Sequence, residues 1–236
     1  MKEDLKKIEK KYSKQIKAIF AILLFFCNSI FSSLLISILH INIKQITEKQ
    51  SMVFSLFNYV MLVIIFILLY RKDLKEDWKK FKKEPNKIID TGFKYWTIGL
   101  FFMVISNIII MKFFPGSTAN NEQAVQGYIK NFPFLALLTT SILGPFVEEI
   151  TFRKTFKDSI KNPVLFILTS GILFGLIHVL GQSTTLRDYL YIIPYSALGI
   201  SFAYMYYKTD NFYTSAMMHT IHNLALTIIS IISFAL

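Results

Sequence analysis

The chain is 236 residues long, 53% hydrophobic and only 17% charged, with 23 Phe against 9 Gly and 6 Pro. That much apolar surface cannot be hidden inside a globule of this size, which excludes an ordinary soluble domain, and the composition is wrong for disorder or collagen. The single Cys27 excludes a disulfide scaffold, and the net charge of +11 must be located before it is read as affinity for nucleic acid.

A helix needs about 20 mostly apolar residues to cross ~30 Å of hydrocarbon. Such runs lie at about 18–43, 51–70, 95–114, 132–156, 163–181, 188–207 and 212–236. The first is too long for a signal h-region and no small-x-small cleavage site follows it, so it reads as a span. The third and sixth are interrupted by polar or Pro residues. No internal repeat and no Gly/Ser-rich linker divides the chain. The expected fold class is all-α: residues 1–236 as one polytopic membrane helical bundle of about seven transmembrane helices.

Lys/Arg bias orients the spans. With the N-terminus cytoplasmic, inner segments hold 21 of the 26 Lys and Arg, and outer segments hold Lys44, Lys49, Lys112, Lys130 and Arg187. One missed helix would invert every later loop and destroy that asymmetry. The basic N-terminus, 1–17, places Leu5, Ile8 and Tyr12 on one side. Segment 71–94 places Leu74, Trp78 and Phe81 at i, i+4, i+7 with Lys on the other faces. It is expected to lie as a helix on the inner surface among anionic lipids. Orientation and lipid contact account for the lysines, so nucleic acid is not expected as a partner.

Ionisable groups inside a span cost several kcal/mol, on the order of 2.5–3.5 for Asp at mid-helix, and mark function by default. Spans one to three carry almost none. Spans four, five and seven carry Glu148 and Glu149, His178, and His219, His222 and Asn223. His40, near the outer end of span one, is interfacial.

In span four, adjacent carboxylates project ~100° apart and are not expected to face one partner. Glu149 and Arg153, at i, i+4, share a face and can neutralise each other. Glu148 is left without a local cation, in the environment that suits a general base or acid. Pro145 cannot donate to the Ser141 carbonyl, so a kink is expected where the carboxylates begin. The plain alternative is that Glu148, Glu149 and Arg153 merely mark the cytoplasmic end of a helix.

In span five, Gly171 and Gly175 make a small-xxx-small step for close packing, and Phe174 and His178 sit at i, i+4 on that side. In span seven His219 and Asn223 project together, with His222 about 60° away. Such a His pair with a carboxylate could chelate a metal, or supply hydrogen bonds to a water or an oxyanion. Each His alone reads as an ordinary packing residue. Three helices each bringing polar groups into lipid point instead to one active site.

EEITFR (148–153), FGLIH (174–178) and HTIHN (219–223) read, in order, as EExxxR, FxxxH and HxxxN. The trio resembles the CAAX-processing and bacteriocin-processing family of intramembrane endopeptidases over roughly 132–230, including the run LGISFAYMYYKTDNFYTSAMMH before the third motif. The resemblance implies an endopeptidase in which Glu148 activates water, assisted by His178. Glu149 with Arg153, and Phe174, support the site, and His219 and Asn223 bind the water or the developing oxyanion. His222 lies outside the minimal pattern. A metal-free glutamate mechanism is preferred over a divalent metal such as zinc on Glu148, His178 and His219, since no HExxH occurs.

The expected substrate is a C-terminal or membrane-proximal peptide stretch of a peptide or protein, with or without a lipid. The expected location is a bacterial cell membrane, crossed several times. A non-catalytic bacteriocin-immunity or regulatory protein of the same fold is the alternative, and a transporter would show inverted repeats that are absent here. At ~1.5 Å per residue, Glu148 lies ~13 Å above Lys157 and Asn223 ~16 Å from Phe212, but His178 lies ~22 Å from Pro163. His178 reaches the others only if span five starts below the membrane plane or tilts strongly.

Overall fold

A computed structural model describes residues 2–235, with side chains from Tyr12 onward. Leu5 and Ile8 of the expected N-terminal stripe lie outside the described side chains. Among the described residues nine helices follow in order: α1 (Lys2–Phe26), α2 (Ser29–Ile38), α3 (Glu48–Lys83), α4 (Pro85–Phe113), α5 (Asn120–Asn131), α6 (Pro133–Ser159), α7 (Pro163–Ile177), α8 (Ile192–Thr209) and α9 (Phe212–Ala235). Short 3₁₀ turns occupy Ile43–Gln45 and Leu186–Tyr191. The described residues contain no strand, and the fold is an all-α polytopic bundle.

All seven predicted runs are helical, but they are not equal. Helices α3, α4, α6 and α9 are long and apolar enough to cross a membrane, and the bent α1–α2 pair makes a fifth. Helix α7 is apolar but only 15 residues long, and α8 begins at Ile192, four residues later than its predicted run. The first run is not one helix. It breaks at Cys27–Asn28 with a 57° bend, where Asn28 Nδ2 donates to the Phe25 carbonyl at 2.6 Å and so competes with the helical ladder. Beyond the bend, Asn58 accepts from Ser32 N at 2.9 Å and donates to Ser32 Oγ at 3.1 Å, fixing α2 to α3.

Segment 71–94 also differs from expectation, because it is not a separate surface helix. Helix α3 continues through it to Lys83, and α4 starts at Pro85. Its apolar stripe packs against another helix: Trp78 stacks on Phe81 at 5.3 Å, and both rings meet Tyr213 at the start of α9. Buried Asp77 accepts from Phe212 N at 3.0 Å and thereby fixes the entry of α9. Around this end of the bundle Lys154 pairs with Asp73 and Asp158, Lys14 with Asp158, and Lys80 and Lys157 with Asp210.

The sides of the bundle expose Ile64, Leu68, Phe101, Phe102, Ile105, Ile108 and Ile229, whereas Glu149, Arg153, Ser170, Ser215 and His219 are buried. Apolar outside and polar inside is the arrangement lipid favours. The protein is a multi-pass integral membrane protein.

Candidate active site

Helix α6 presents the two glutamates, and it is irregular on both sides of them. Leu137–Leu143 and Ile150–Lys154 are π-helical, flanking Gly144–Glu149. Proline explains the first stretch and what it needs. Gly144 N donates five residues back, to Thr139 O, so in this register the carbonyl left without a donor by Pro145 is that of Thr140. Asn223 Nδ2 of α9 donates to it at 2.8 Å. A buried carbonyl without a partner costs on the order of 1–3 kcal/mol, so the contact ties α9 to α6 one turn before the glutamates. The irregularity expected at Pro145 therefore falls on Thr140 rather than Ser141. Gly144 is required there, because a Cβ would come within 2.8 Å of Thr139 O. Beyond the second π stretch's start, Ser170 Oγ of α7 donates to Phe152 O at 2.7 Å. Each irregular stretch thus receives a donor from another motif-bearing helix.

Arg153 Nη2 lies 3.3 Å from Glu149 Oε1, with both side chains fully buried. The guanidinium rests 4.6 Å above the Phe174 ring and 5.7 Å from Phe202, so two aromatic faces supplement one carboxylate. His219 is the hub. Its Nδ1 is 3.0 Å from Glu149 Oε1 and its Nε2 is 3.6 Å from Glu148 Oε2. The expectation that adjacent carboxylates cannot share a partner is corrected here. The carboxylates diverge, but an imidazole carries its nitrogens on different sides of the ring and reaches both. Phe202 stacks on His219 at 4.8 Å and Phe174 meets it edge-on at 5.4 Å.

His178 caps the C-terminal end of α7. Its Nδ1 is 2.8 Å from Phe174 O, which can only accept, so the proton is assigned to Nδ1 and Nε2 is left with its lone pair. Tyr195 stacks on its ring at 4.8 Å. Close approach of α7 and α8 makes this possible: a Cβ on Gly175 would come within 2.8 Å of Ser196 N, and one on Gly171 within 2.5 Å of Ile200 N.

Glu148, Phe174, His178, His219, His222 and Asn223 all line one chamber of about 440 Å³, the size of a small-ligand site. His178 therefore shares a hollow with Glu148 despite the depth arithmetic. Glu149 and Arg153 stand behind the wall, outside the lining. His222, left open by the sequence, faces the chamber and accepts from Trp96 Nε1 at 3.4 Å. Two further wall residues carried no signal in the sequence: Tyr195 and Phe202 are ordinary aromatics of apolar runs until the fold stacks them on His178 and His219. A zinc ion on Glu148, His178 and His219 would need three donors turned to one point. With Nδ1 of His178 and His219 committed to Phe174 O and Glu149, each ring would offer Nε2, the usual arrangement of a zinc-bound histidine, but among the described residues no three His, Cys, Asp or Glu side chains are gathered closely enough to hold a metal.

Residues 130–225 match the family described as type II CAAX prenyl endopeptidase Rce1-like. The Bacillus subtilis protein YdiL, provisionally named a membrane peptidase, is 25% identical over 178 residues, 72% of this chain and 68% of its own. YxdF of Lactococcus lactis is 26% identical over 70% of this chain and 89% of its own. MroQ of Staphylococcus aureus, named a membrane-embedded CAAX protease, is 24% identical over 60% of this chain and 58% of its own. No solved structure matches the chain. The three motifs assembled around the chamber all lie within residues 130–225, the part of the chain that is similar to the type II CAAX prenyl endopeptidase Rce1-like family.

Proposed function

We propose that the protein is an intramembrane endopeptidase that hydrolyses a peptide bond with a glutamate-activated water. The observation that carries this reading is His219 set between Glu149 and Glu148 at the wall of a chamber that also holds His178 and Asn223. Glu148 takes a proton from water as the oxygen attacks the carbonyl carbon, and returns it to the leaving amine as the C–N bond breaks. His178 Nε2, its lone pair free, accepts the second hydrogen of the water and orients it. His219, giving its Nδ1–H to Glu149 and carrying a second proton on Nε2, and the second N–H of Asn223 stabilise the tetrahedral oxygen. Glu149, Arg153 and Phe174 are positioning residues in this scheme.

The substrate is a C-terminal or membrane-proximal peptide segment, with or without a lipid, in line with the CAAX-protease name of MroQ. The lysine-rich end of the bundle, including 71–94, faces the cytoplasm and its anionic lipids, as the positive-inside rule requires.

Glu148→Gln is the test, with substrate peptides presented to the full-length protein in liposomes. The variant should insert and melt like the parent and lose cleavage by about 10²–10⁴-fold, the usual weight of a general base. Cleavage undiminished in Glu148→Gln overturns the scheme. So does cleavage that a chelator abolishes and zinc restores.

A further inference from the structure

The chamber extends well beyond the glutamates. It runs toward α5 and the turn before it, where Asn107, Ser117, Asn121, Glu122 and Gln126 supply polar lining between Met103, Val125 and Ile129. Among the described residues no Lys or Arg lines it, and the carboxylates in its lining are Glu122 and Glu148.

Glu122 stands in the first turn of α5, where an acid would ordinarily serve the helix dipole. Here it is not used as a cap. The N-cap is Ala119, with no side-chain bond. Glu122 Oε1 instead accepts from Gln126 Nε2 at 2.6 Å, and the same Nε2 lies 2.9 Å from Ser230 Oγ of α9. The carboxylate is thus held in place by a neighbour that is itself tied to α9. It forms no ion pair among the described residues. The one Arg of the neighbouring turn, Arg187, lies over the Phe114 ring instead. Helix α5 is coupled to the glutamate end of the chamber as well: Asn121 donates to Tyr195 OH at 3.2 Å, and Tyr195 is the ring stacked on His178.

A carboxylate in a largely apolar cavity, positioned but without a counter-charge, favours a cation from outside. We propose that Glu122 selects the substrate: the peptide cleaved at Glu148 carries a Lys or Arg side chain, which Glu122 receives at the α5 end of the chamber. The proposal rests on the hydrolytic reading above and adds the substrate's charge to it. A chamber of this size takes a few side chains on either side of the scissile bond, so the basic residue lies within about four positions of the cut.

The test presents a randomised synthetic decapeptide mixture to the full-length protein in liposomes and reads the products by mass spectrometry. Products should be enriched in Lys and Arg near the cut. For one Lys peptide and its norleucine counterpart, Glu122→Gln should lower the ratio of kcat/KM by about tenfold or more, the weight of one charge-assisted hydrogen bond. Glu122→Lys should turn the preference toward Asp and Glu. Cleavage without basic enrichment, or a ratio unchanged in Glu122→Gln, overturns the assignment while leaving hydrolysis at Glu148 standing. No cleavage of any peptide by the parent removes the hydrolytic reading itself, and this one with it.

Discussion

Helices α3 and α6 are both read as membrane spans, yet they are built on different terms. Helix α3 runs 36 residues in regular α geometry from a Thr47–Gln50 capping box to Lys83, and its apolar stretch mostly faces outward. Helix α6 is 27 residues long, half buried over its apolar window, and twice departs into π geometry. Lipid demands only that a span satisfy its own backbone, and α3 does so alone. Helix α6 leaves carbonyls unpaired and has them met from α7 and α9, which locks those helices around Glu148. Irregularity here is the means of assembly.

The comparison breaks most visibly at Arg153. Arg153→Leu leaves Glu149 as a buried charge beside His219 and should destabilise the protein by about 3–5 kcal/mol, read as a large fall in Tm in detergent. The double variant Glu149→Leu/Arg153→Leu should regain most of that loss, since two apolar groups replace two charges. It should stay inactive, because His219 Nδ1 has lost its acceptor. Equal destabilisation of single and double variants would mean that the pair is not a self-neutralising unit.

A sharper test concerns the Thr140 carbonyl. Asn223→Leu removes its donor and should lower stability by about 1–3 kcal/mol. Pro145→Ala supplies a backbone N–H in the π register, so adding it to Asn223→Leu should restore the Tm while turnover stays low. If Pro145→Ala restores nothing, the Asn223–Thr140 contact is incidental to the fold. If it restores turnover as well, Asn223 acts only as an anchor and has no part in stabilising the oxyanion.

The sequence showed which helices meet more plainly than how they meet. Glu149 and Arg153 were legible because i, i+4 geometry is local, and Gly171 and Gly175 because small residues have few other uses in a span. The ordered motifs named the chamber's polar wall. The shared imidazole was not legible: adjacent side chains diverge on their own helix, and only a ring arriving from α9 closes the gap. Nor was the π register, since a proline's orphaned carbonyl shifts by one residue when the ladder lengthens, and sequence spacing assumes the α ladder. The break at Asn28 was hidden for a similar reason, because a single side-chain bond to Phe25 O outweighs an otherwise continuous apolar run. Glu122 lies outside every predicted span and motif, and only the fold places it in the chamber wall.

The smallest expected effect lies where neither α3 nor α6 reaches, in the turn before α8 that borders the chamber. Asp188 Oδ2 accepts from Thr184 N and Thr185 N, each at 2.8 Å, and from Asn120 Nδ2 at 3.4 Å, so one carboxylate ties this turn to α5. Those backbone donors hold its pKa below the ordinary carboxylate value. The sign follows from linkage: a depressed folded pKa gives stability that is complete above the unfolded value, about 3.9, and lost as pH falls through the folded one. Hydrogen exchange at the Thr184 and Thr185 amides should therefore be protected at about pH 6 and lose that protection, relative to Asp188→Asn, only in strong acid. Protection equal in the parent and Asp188→Asn at about pH 6 would show that the turn is held by packing around it, and that the border of the chamber, unlike α6, owes nothing to a single polar contact.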